Sequence, residues 1–181
     1  MLLNYMMPLR IRESLSMQNQ LFPQPGHDHR PCMEQAIARA RAVCAAKGVR
    51  LTVLREAVLR VLTASHNALG AYDIIERLTQ QGRRLAPISV YRIIEVLVAA
   101  GLVHRLESKN AYFACLSRHD AAASMVILLC DRCNRVAEAE APEAWRVIKS
   151  ITQGTGFSVS GTVLEVQGQC LDCRQLPPKA A

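Results

Sequence analysis

The sequence predicts an α+β protein with two parts: a helical N-terminal part that ends in a β-hairpin, and a smaller C-terminal α/β part tied together by cysteines. Apolar residues recur at helical spacing through the N-terminal part, and two short strand-like runs follow directly. The remaining chain contains two C-x-x-C pairs. A chain of 181 residues has room for one large domain or two small ones, so two parts fit its length.

Glycine and proline residues divide the N-terminal part into four predicted helices. The first covers 32–47, the second begins with Thr52 as its N-cap, the third covers 71–81 and the fourth covers 87–100. Apolar residues three and four positions apart predict one buried face on each helix. The residues expected on these faces are Leu54, Val58, Val61 and Leu62 in the second helix, Ile74, Ile75 and Leu78 in the third, and Val90, Ile93, Ile94, Leu97 and Val98 in the fourth.

The segments 102–106 and 111–115 are predicted to be strands, joined as a hairpin by the turn-forming residues 107–110. Short helices followed by a hairpin is the order of a winged helix. In that design the last helix enters the major groove of DNA and the hairpin lies on the DNA backbone. The order therefore predicts a winged-helix DNA-binding domain over residues 32–116.

The charge distribution is consistent with a nucleic-acid partner. Residues 1–120 contain 16 Lys and Arg against nine Asp and Glu, whereas residues 121–181 contain six of each. The whole excess of +7 therefore lies in the part predicted to bind DNA. A cationic surface binds a polyanion by neutralising phosphates and releasing counterions. Charge alone fits an ordinary basic protein equally well, so the prediction depends on the order of the elements.

The first turn of the fourth helix carries Ser89, Tyr91 and Arg92, opposite the apolar face. Base contacts in helix-turn-helix proteins come from this turn; Arg can bind guanine through two hydrogen bonds, while Ser and Tyr hold phosphates. The alternative is that Tyr91 and Arg92 are only the solvated face of a core helix. The residues predicted to make the surrounding phosphate contacts are Tyr72, Arg50, Arg55, Arg83, Arg84 and Arg105.

The C-terminal part is predicted to contain strands over 125–129, 135–140 and 156–169, with a helix from Pro142 to 153. Its strongest chemical signal is a set of four cysteines: Cys130, Cys133, Cys170 and Cys173. Two C-x-x-C turns can complete a closed tetrahedral site for a structural zinc ion that contributes folding energy. The alternative is a redox-active pair, which would need a C-x-x-C at the start of a helix in a βαβ context, and neither pair is predicted to have that context.

Residues 1–31 have no sustained period and contain four prolines, which predicts a flexible leader in which His27 and His29 could contact a metal. No signal-peptide core and no membrane-spanning run is recognisable. Seven cysteines, an odd number, argue against a secreted disulfide framework. These features predict a cytoplasmic protein without a membrane partner.

Together the motifs resemble the ferric uptake regulator superfamily, and within it the branch of zinc uptake regulators, over residues 32–173. LTVLREAVLRVL is similar to the second-helix motif L-T-x-x-R, with Val53 in place of the usual Pro. GAYDIIERL resembles the third helix. PISVYRIIEVLVAAGLVHRLES resembles the recognition helix and wing, with Ser89 where Thr is usual and Ile88 where Pro is common. The His-rich stretch typical of the iron-responsive branch is absent.

The resemblance implies two zinc ions per subunit, one structural in the four-cysteine site and one regulatory between the domains. By motif position the regulatory ligands are His104, Cys115 and Glu138. The family's remaining ligand is a histidine where this chain has Ala123, and His119 is expected to replace it. Taken singly, His104 would be a hydrogen-bonded histidine and Cys115 a small buried residue.

The resemblance further implies a homodimer that binds palindromic operator DNA when the regulatory zinc is bound and represses zinc-uptake genes. The alternative within the superfamily is an iron- or peroxide-responsive regulator. Outside it, the alternatives are a redox or zinc enzyme and a pure protein-interaction module; no enzyme and no small-molecule substrate are expected, because the four-thiol site is closed. The expected organisation is a leader at 1–31, the winged helix at 32–116, a hinge loop at 117–123, a dimerisation domain at 124–175 and a tail at 176–181.

Overall fold

The computed structural model describes residues 21–22, 26, 28–115, 125–159 and 162–177. The elements in this part of the chain are α1 (Arg30–Ala46), α2 (Val53–Thr63), β1 (Leu69–Gly70), α3 (Ala71–Gln80), α4 (Pro87–Ala99), β2 (Val103–Leu106), β3 (Ala111–Ala114), β4 (Met125–Cys130), β5 (Val136–Glu140), α5 (Pro142–Gln153), β6 (Leu164–Gly168) and α6 (Leu171–Gln175). None of these helices is both long enough and apolar enough to cross a membrane.

The four predicted helices of the N-terminal part are present. Thr52 caps α2 as predicted, since its hydroxyl oxygen accepts a hydrogen bond from the backbone N–H of Arg55 at 3.3 Å. Gly101, which follows α4, has a φ of +74°, a left-handed conformation that ends a helix at little cost only for glycine. The first helix begins at Arg30, two residues earlier than predicted, because Pro31 is well tolerated in a first helical turn.

The helices pack around a core that contains most of the apolar residues predicted to face inward. Val58, Ile74 and Leu97 are fully buried in it. Leu54 and Val98 were expected there, and this expectation is wrong, since each is 37% exposed. Leu54 stands in the first turn of α2 and Val98 in the last turns of α4, where fewer neighbouring elements cover the apolar face.

The first sheet has the strand order β1-β3-β2 and forms the wing behind α4. β2 and β3 are antiparallel, with His104 opposite Phe113, and their hairpin confirms the predicted winged helix. Strand β1 was not predicted, because two residues are too few to show a period. It pairs with β3 through Leu69 and Gly70.

The second sheet has the order β5-β4-β6, with β4 antiparallel to β5 and parallel to β6. Helix α5 connects β5 to β6, which gives the C-terminal part its predicted α/β character. The predicted strand over 156–169 is wrong in length, since among the described residues of this span (156–159 and 162–169) only Leu164–Gly168 is a strand. The strand pairs with Val126 to Cys130 of β4, and Phe157, within the predicted span, is 67% exposed.

The two sheets pack against each other through an apolar cluster that joins the wing to the C-terminal part. Leu106 and Phe113 of the wing meet Ile127 and Leu129 of β4 in this cluster, which also contains Ala111. Backbone hydrogen bonds add to the contact. In the loop at 66–68, the backbone N–H of Ala68 donates to the carbonyl oxygen of Asn134 at 3.1 Å. The carbonyl oxygen of His66 accepts from the backbone N–H of Val136 at 2.9 Å.

We expect the Thr52→Ala variant to lose about 1 kcal/mol of unfolding free energy, because the N–H of Arg55 loses its acceptor at the helix end. Urea denaturation followed by circular dichroism measures the change. Thr79→Ala is the control, since the exposed Thr79 hydroxyl donates to the Ile75 carbonyl oxygen within α3 and its loss should change stability by less than about 0.5 kcal/mol. Equal losses in both variants would contradict the capping role.

Candidate metal centres and nucleic-acid interface

The four predicted cysteines of the C-terminal part lie together. Their sulfur atoms all lie within 4.8 Å of one another, and the sulfurs of Cys133 and Cys170 are 3.9 Å apart. Zinc–sulfur bonds of about 2.3 Å place the sulfurs of a tetrahedral site about 3.8 Å apart. The spacing of the four sulfurs therefore fits a single zinc ion.

The turn between β4 and β5 carries the first cysteine pair, and the start of α6 carries the second. Cys170 is the N-cap of α6, so the second pair does begin a helix, but no strand follows α6 among the described residues and the βαβ context of a redox pair is missing there. A five-residue helix gives no periodic signal in sequence. The redox alternative nevertheless fits less well than a metal site, because a two-thiol redox centre does not require all four sulfurs to converge on one point.

The protonation of these thiols differs sharply across the cluster. Burial raises the pKa of Cys130, but hydrogen bonds from the backbone N–H groups of Cys170, Cys133 and Arg132 outweigh it and lower the pKa to about 6. Burial and hydrogen bonds with neighbouring sulfurs raise the pKa of Cys173 to about 12. Four clustered thiols, three of them buried, cannot all ionise together without counter-charge, and a divalent cation that prefers sulfur ligands supplies it.

Arg135 supplies positive charge to this cluster, and the sequence reasoning did not find it. Its guanidinium donates hydrogen bonds to the sulfur of Cys133 at 3.3 Å and to that of Cys170 at 3.1 Å, and it pairs with the carboxylate of Asp172 at 2.5 Å. Burial opposes its charge, but these partners raise the pKa of Arg135 above its usual value. The only sequence signal is its place two residues after the first pair.

A second ligand cluster lies at the junction of the two sheets. The ligand atoms of His104, Cys115 and Glu138 lie within 4.8 Å of one another, and Nε2 of His104 is 3.5 Å from Oε1 of Glu138. His104 belongs to β2 and Cys115 follows β3, whereas Glu138 comes from β5 of the other sheet. The residues 116–124 fall outside the described part of the chain, and with them the predicted fourth ligand His119.

The donors of this second cluster suit zinc. One thiolate, one imidazole and one carboxylate are all zinc ligands, and a thiolate is a poor ligand for manganese or magnesium. The Glu138 side chain is only 5% exposed and that of His104 is 21% exposed, so a cation here would be shielded from water. Three ligands leave one position of a tetrahedral site for a further donor.

Two hydrogen bonds of the backbone hold Cys115 in place. Its N–H donates to the carbonyl oxygen of Leu102 at 3.0 Å, and its own carbonyl oxygen accepts from Nη1 of Arg39 at 2.7 Å. These bonds fix the end of the wing to the helical core. Among the described residues, potential ligands gather in threes or more at these two clusters. His29 lies against the ring of His66 with 4.9 Å between the centroids, and His27 is outside the described part.

The residues predicted to contact DNA differ in exposure. Arg92 is exposed on α4 and Tyr72 is 72% exposed on α3. Ser89 is half-buried, and Tyr91 packs partly against the helical core, so its ring has a structural role as well. The guanidinium of Arg55 donates to the backbone carbonyl oxygen of Arg50. The Arg50 side chain is exposed just before the start of α2.

With this geometry established, comparison with known proteins identifies the family. The sequence profile of the ferric uptake regulator family matches residues 46–167. The chain belongs to the ferric uptake regulator family. The zinc uptake regulation protein of Escherichia coli K12 is 31% identical over 140 residues, which cover 77% of this chain and 82% of that protein.

Two further relatives extend the comparison. A solved structure of a zinc uptake regulator complexed with zinc and DNA is 31% identical, with a TM-score of 0.74 over 79% of this chain and 95% of that one. The peroxide-responsive repressor PerR of Staphylococcus epidermidis is 26% identical over 144 residues, which cover 79% of this chain and 91% of that protein. The zinc uptake regulators are thus the more similar relatives.

Proposed function

We propose that this protein is a zinc-responsive transcriptional repressor that acts in the cytoplasm, binds palindromic operator DNA as a homodimer and represses zinc-uptake genes. The observation that carries the proposal is the convergence of His104, Cys115 and Glu138 from two sheets onto one point. A metal ion there binds both parts of the protein at once. The similarity to zinc uptake regulators, one of them complexed with zinc and DNA, supports the same function.

Each subunit would hold two zinc ions with separate roles. Cys130, Cys133, Cys170 and Cys173 bind the structural ion, and all four belong to the C-terminal domain. His104, Cys115, Glu138 and His119 bind the regulatory ion. Four cysteines fill the coordination positions of the structural ion, and four protein side chains would fill those of the regulatory ion. Neither ion then keeps an open position for water or substrate, so neither is arranged for hydrolytic turnover.

Zinc is favoured over iron or peroxide as the signal by the thiol of Cys115. The iron- or peroxide-responsive alternative is supported by the peroxide-responsive relative, which is less similar at 26% identity than the zinc regulator at 31%. A cysteine in the regulatory set is better suited to a soft, redox-inactive ion than to a site rich in oxygen and nitrogen ligands.

The mechanism follows from where the regulatory ligands lie. Two of them stand at the base of the wing and one on the sheet of the C-terminal domain, so an ion fixes the orientation of the DNA-binding domain on that sheet. In a dimer, this orientation sets the distance between the two recognition helices α4, which must match successive major grooves. A ligand shifts such an equilibrium only through its different affinity for the two orientations. Coupling of about 1–3 kcal/mol changes DNA affinity about 5- to 150-fold.

The homodimer requires a surface, and the C-terminal domain offers an apolar one. β6 is an edge strand of the described sheet, and α5 presents apolar side chains to solvent. A second copy would remove this apolar area from water. The exposed apolar residues, each more than half exposed, are Val147, Ile151, Phe157, Val163 and Val166.

DNA recognition is assigned to α4 and the elements beside it. Arg92 would read a base, Ser89 and Tyr91 would hold the flanking phosphates, and Tyr72, Arg50 and Arg55 would contact the backbone. The proposed organisation keeps the winged helix at 32–116 and the dimerisation domain at 124–175, with 117–123 as the hinge loop and 1–31 and 176–181 as leader and tail. The start of α1 at Arg30 adds two residues to the folded part.

The test of the function is a titration of zinc into protein stripped of its regulatory metal. A duplex selected from a random pool by the zinc-loaded protein serves as the labelled DNA, and fluorescence anisotropy measures affinity. Zinc should raise affinity for this duplex about 5- to 150-fold, more than iron(II) or manganese(II) does, and should not raise affinity for a scrambled duplex. Equal affinity with and without zinc would refute the proposal.

Cys115→Ser should abolish the zinc-dependent gain in operator affinity while the protein remains folded and dimeric, because one regulatory ligand is lost and the structural site is intact. Anisotropy with and without zinc measures the gain, and sedimentation measures the dimer. Cys32→Ser is a matched control, since Cys32 is a half-buried thiol of the same domain outside the ligand cluster. A wild-type zinc response in Cys115→Ser would remove this residue from the site.

Cys130→Ser should lose one zinc ion per subunit and unfold the C-terminal domain, so that the dimer dissociates, because metal binding supplies folding energy in such a site. Metal analysis and sedimentation measure these two effects. Cys44→Ser serves as the control, since Cys44 is an equally buried thiol in the helical core. A Cys130→Ser protein that stays dimeric with full zinc content would argue against a structural ion.

Arg92→Ala should weaken binding to the selected duplex by about 1–3 kcal/mol and relax sequence preference at one position, because a base contact is lost. Arg84→Ala is the contrasting variant: loss of an exposed phosphate contact should weaken all sequences alike and reduce the slope of affinity against salt. Uniform loss in Arg92→Ala would reassign this residue to the DNA backbone.

A further inference from the structure

The carboxylate of Glu165 joins the two domains at the tip of the wing. Oε1 of Glu165 accepts the backbone N–H of Glu107 at 2.7 Å, and Oε2 accepts that of Ser108 at 3.1 Å. Glu107 and Ser108 form the turn between β2 and β3, whereas Glu165 lies on β6 of the C-terminal domain. Each carboxylate oxygen therefore takes one N–H of the wing tip.

The charge state of Glu165 agrees with this geometry. Burial raises its pKa, but the hydrogen bonds from Ser108 and Glu107 outweigh burial and hold the pKa below its ordinary value. Hydrogen bonds to an ionised acceptor are shorter and stronger than those between neutral groups. The carboxylate thus remains charged near neutral pH, the state in which both oxygens accept.

The sheet of the C-terminal domain places Glu165 and the regulatory ligand Glu138 in one row. Ile127 of β4 is opposite Glu138 on β5 and opposite Glu165 on β6. Cross-strand partners point to the same face, and strands lie about 4.8 Å apart, so the two glutamates leave the sheet about 10 Å from each other. Both reach the wing, Glu138 at its base beside His104 and Glu165 at its tip.

We propose that Glu165 is a positioning residue that fixes the wing tip to the C-terminal domain without metal. This polar attachment adds to the apolar packing of the wing, and with it regulatory zinc at the base of the wing can set the orientation of the DNA-binding domain. The proposal rests on the proposed function and adds to it a residue outside the metal site. The apolar contacts of Leu106 and Phe113 hold the body of the wing but are not directional, so they leave the turn at 107–108 some freedom to move. Attachment at the tip removes this freedom.

The expected consequence is that zinc loses part of its effect on DNA when Glu165 is replaced. Zinc would still bind His104, Cys115 and Glu138, yet the wing tip would no longer follow the metal-bound base. The apparent DNA affinity falls with the population of the competent orientation. Because hydrogen bonds to a charged group are among the stronger ones in proteins, we expect a loss of about tenfold.

The experiment compares full-length wild type with Glu165→Ala, Glu165→Gln and the control Glu143→Ala. Glu143 is an exposed carboxylate of the same domain that pairs with Arg146 on its own helix. Three quantities are measured: amide hydrogen exchange at Glu107 and Ser108 by NMR, zinc affinity by competition with a chromophoric chelator, and affinity for the selected duplex with and without zinc.

Glu165→Ala should raise exchange at both wing-tip amides and reduce the zinc-dependent gain in DNA affinity about tenfold, with the same zinc content and oligomeric state as wild type. Glu165→Gln keeps one acceptor oxygen, so its exchange rates and its zinc-dependent gain should fall between those of wild type and Glu165→Ala. It also carries the test if the alanine variant folds poorly. Glu143→Ala should match the wild type in every measurement.

Wild-type amides at Glu107 and Ser108 that exchange as fast as in Glu165→Ala would overturn the attachment, whatever the DNA result. Faster exchange in Glu165→Ala with an unchanged zinc-dependent gain in DNA affinity would overturn the positioning role. Tighter DNA binding by Glu165→Ala would overturn it too, because the attachment would then hold the wing away from the DNA-binding orientation. If wild type itself shows no zinc-dependent DNA binding, the proposed function fails. In that case the exchange rates alone decide the attachment.

Discussion

The packing of the wing on the C-terminal sheet is the contact on which the positions of Glu138 and Glu165 depend. Ile127 and Leu129 of β4 face the wing and are buried against Leu106 and Phe113. Side chains alternate between the faces of a sheet, and directly paired residues on neighbouring strands share a face. Burying Ile127 against the wing therefore also turns its partners Glu138 and Glu165 toward the wing. A register slip of one residue would turn Glu138, the carboxylate of the second ligand cluster, to the opposite face. The apolar contact therefore positions the polar chemistry.

Local sequence patterns predicted the elements and the ligands of the closed cluster, because both depend on short spacings. The N-cap Thr52 precedes a periodic run, and each C-x-x-C turn brings two sulfurs together by itself. Predictions failed where distant partners decide the outcome. The last strand covers only the residues that pair with β4, and Leu54, whose spacing places it on an apolar face, is 37% exposed in the first turn of its helix.

The residues that sequence reasoning missed act through contacts that no spacing reveals. Arg135 contacts sulfurs from both cysteine pairs, and one of these lies 35 residues further along the chain. Glu165 accepts hydrogen bonds from N–H groups 57 and 58 residues away. Motif position, taken from the family resemblance, did indicate His104, Cys115 and Glu138, since their assignment needed no knowledge of the interface itself. Supporting residues have no such motif, so they require the fold.

The two ligand clusters differ in which parts of the chain they join, and this difference separates the roles proposed for them. All four sulfurs of the first belong to one domain, so the binding free energy of an ion there adds to the folding of that domain. The second takes His104 from one domain and Glu138 from the other. Its binding free energy depends on how the domains are oriented, and by linkage the orientation depends on the ion. Binding of an ion within a single domain does not change how the domains are oriented. Binding of an ion shared between domains does, so the orientation can depend on the concentration of that ion. The proposed arrangement would thus let one polypeptide keep one metal permanently and respond to another.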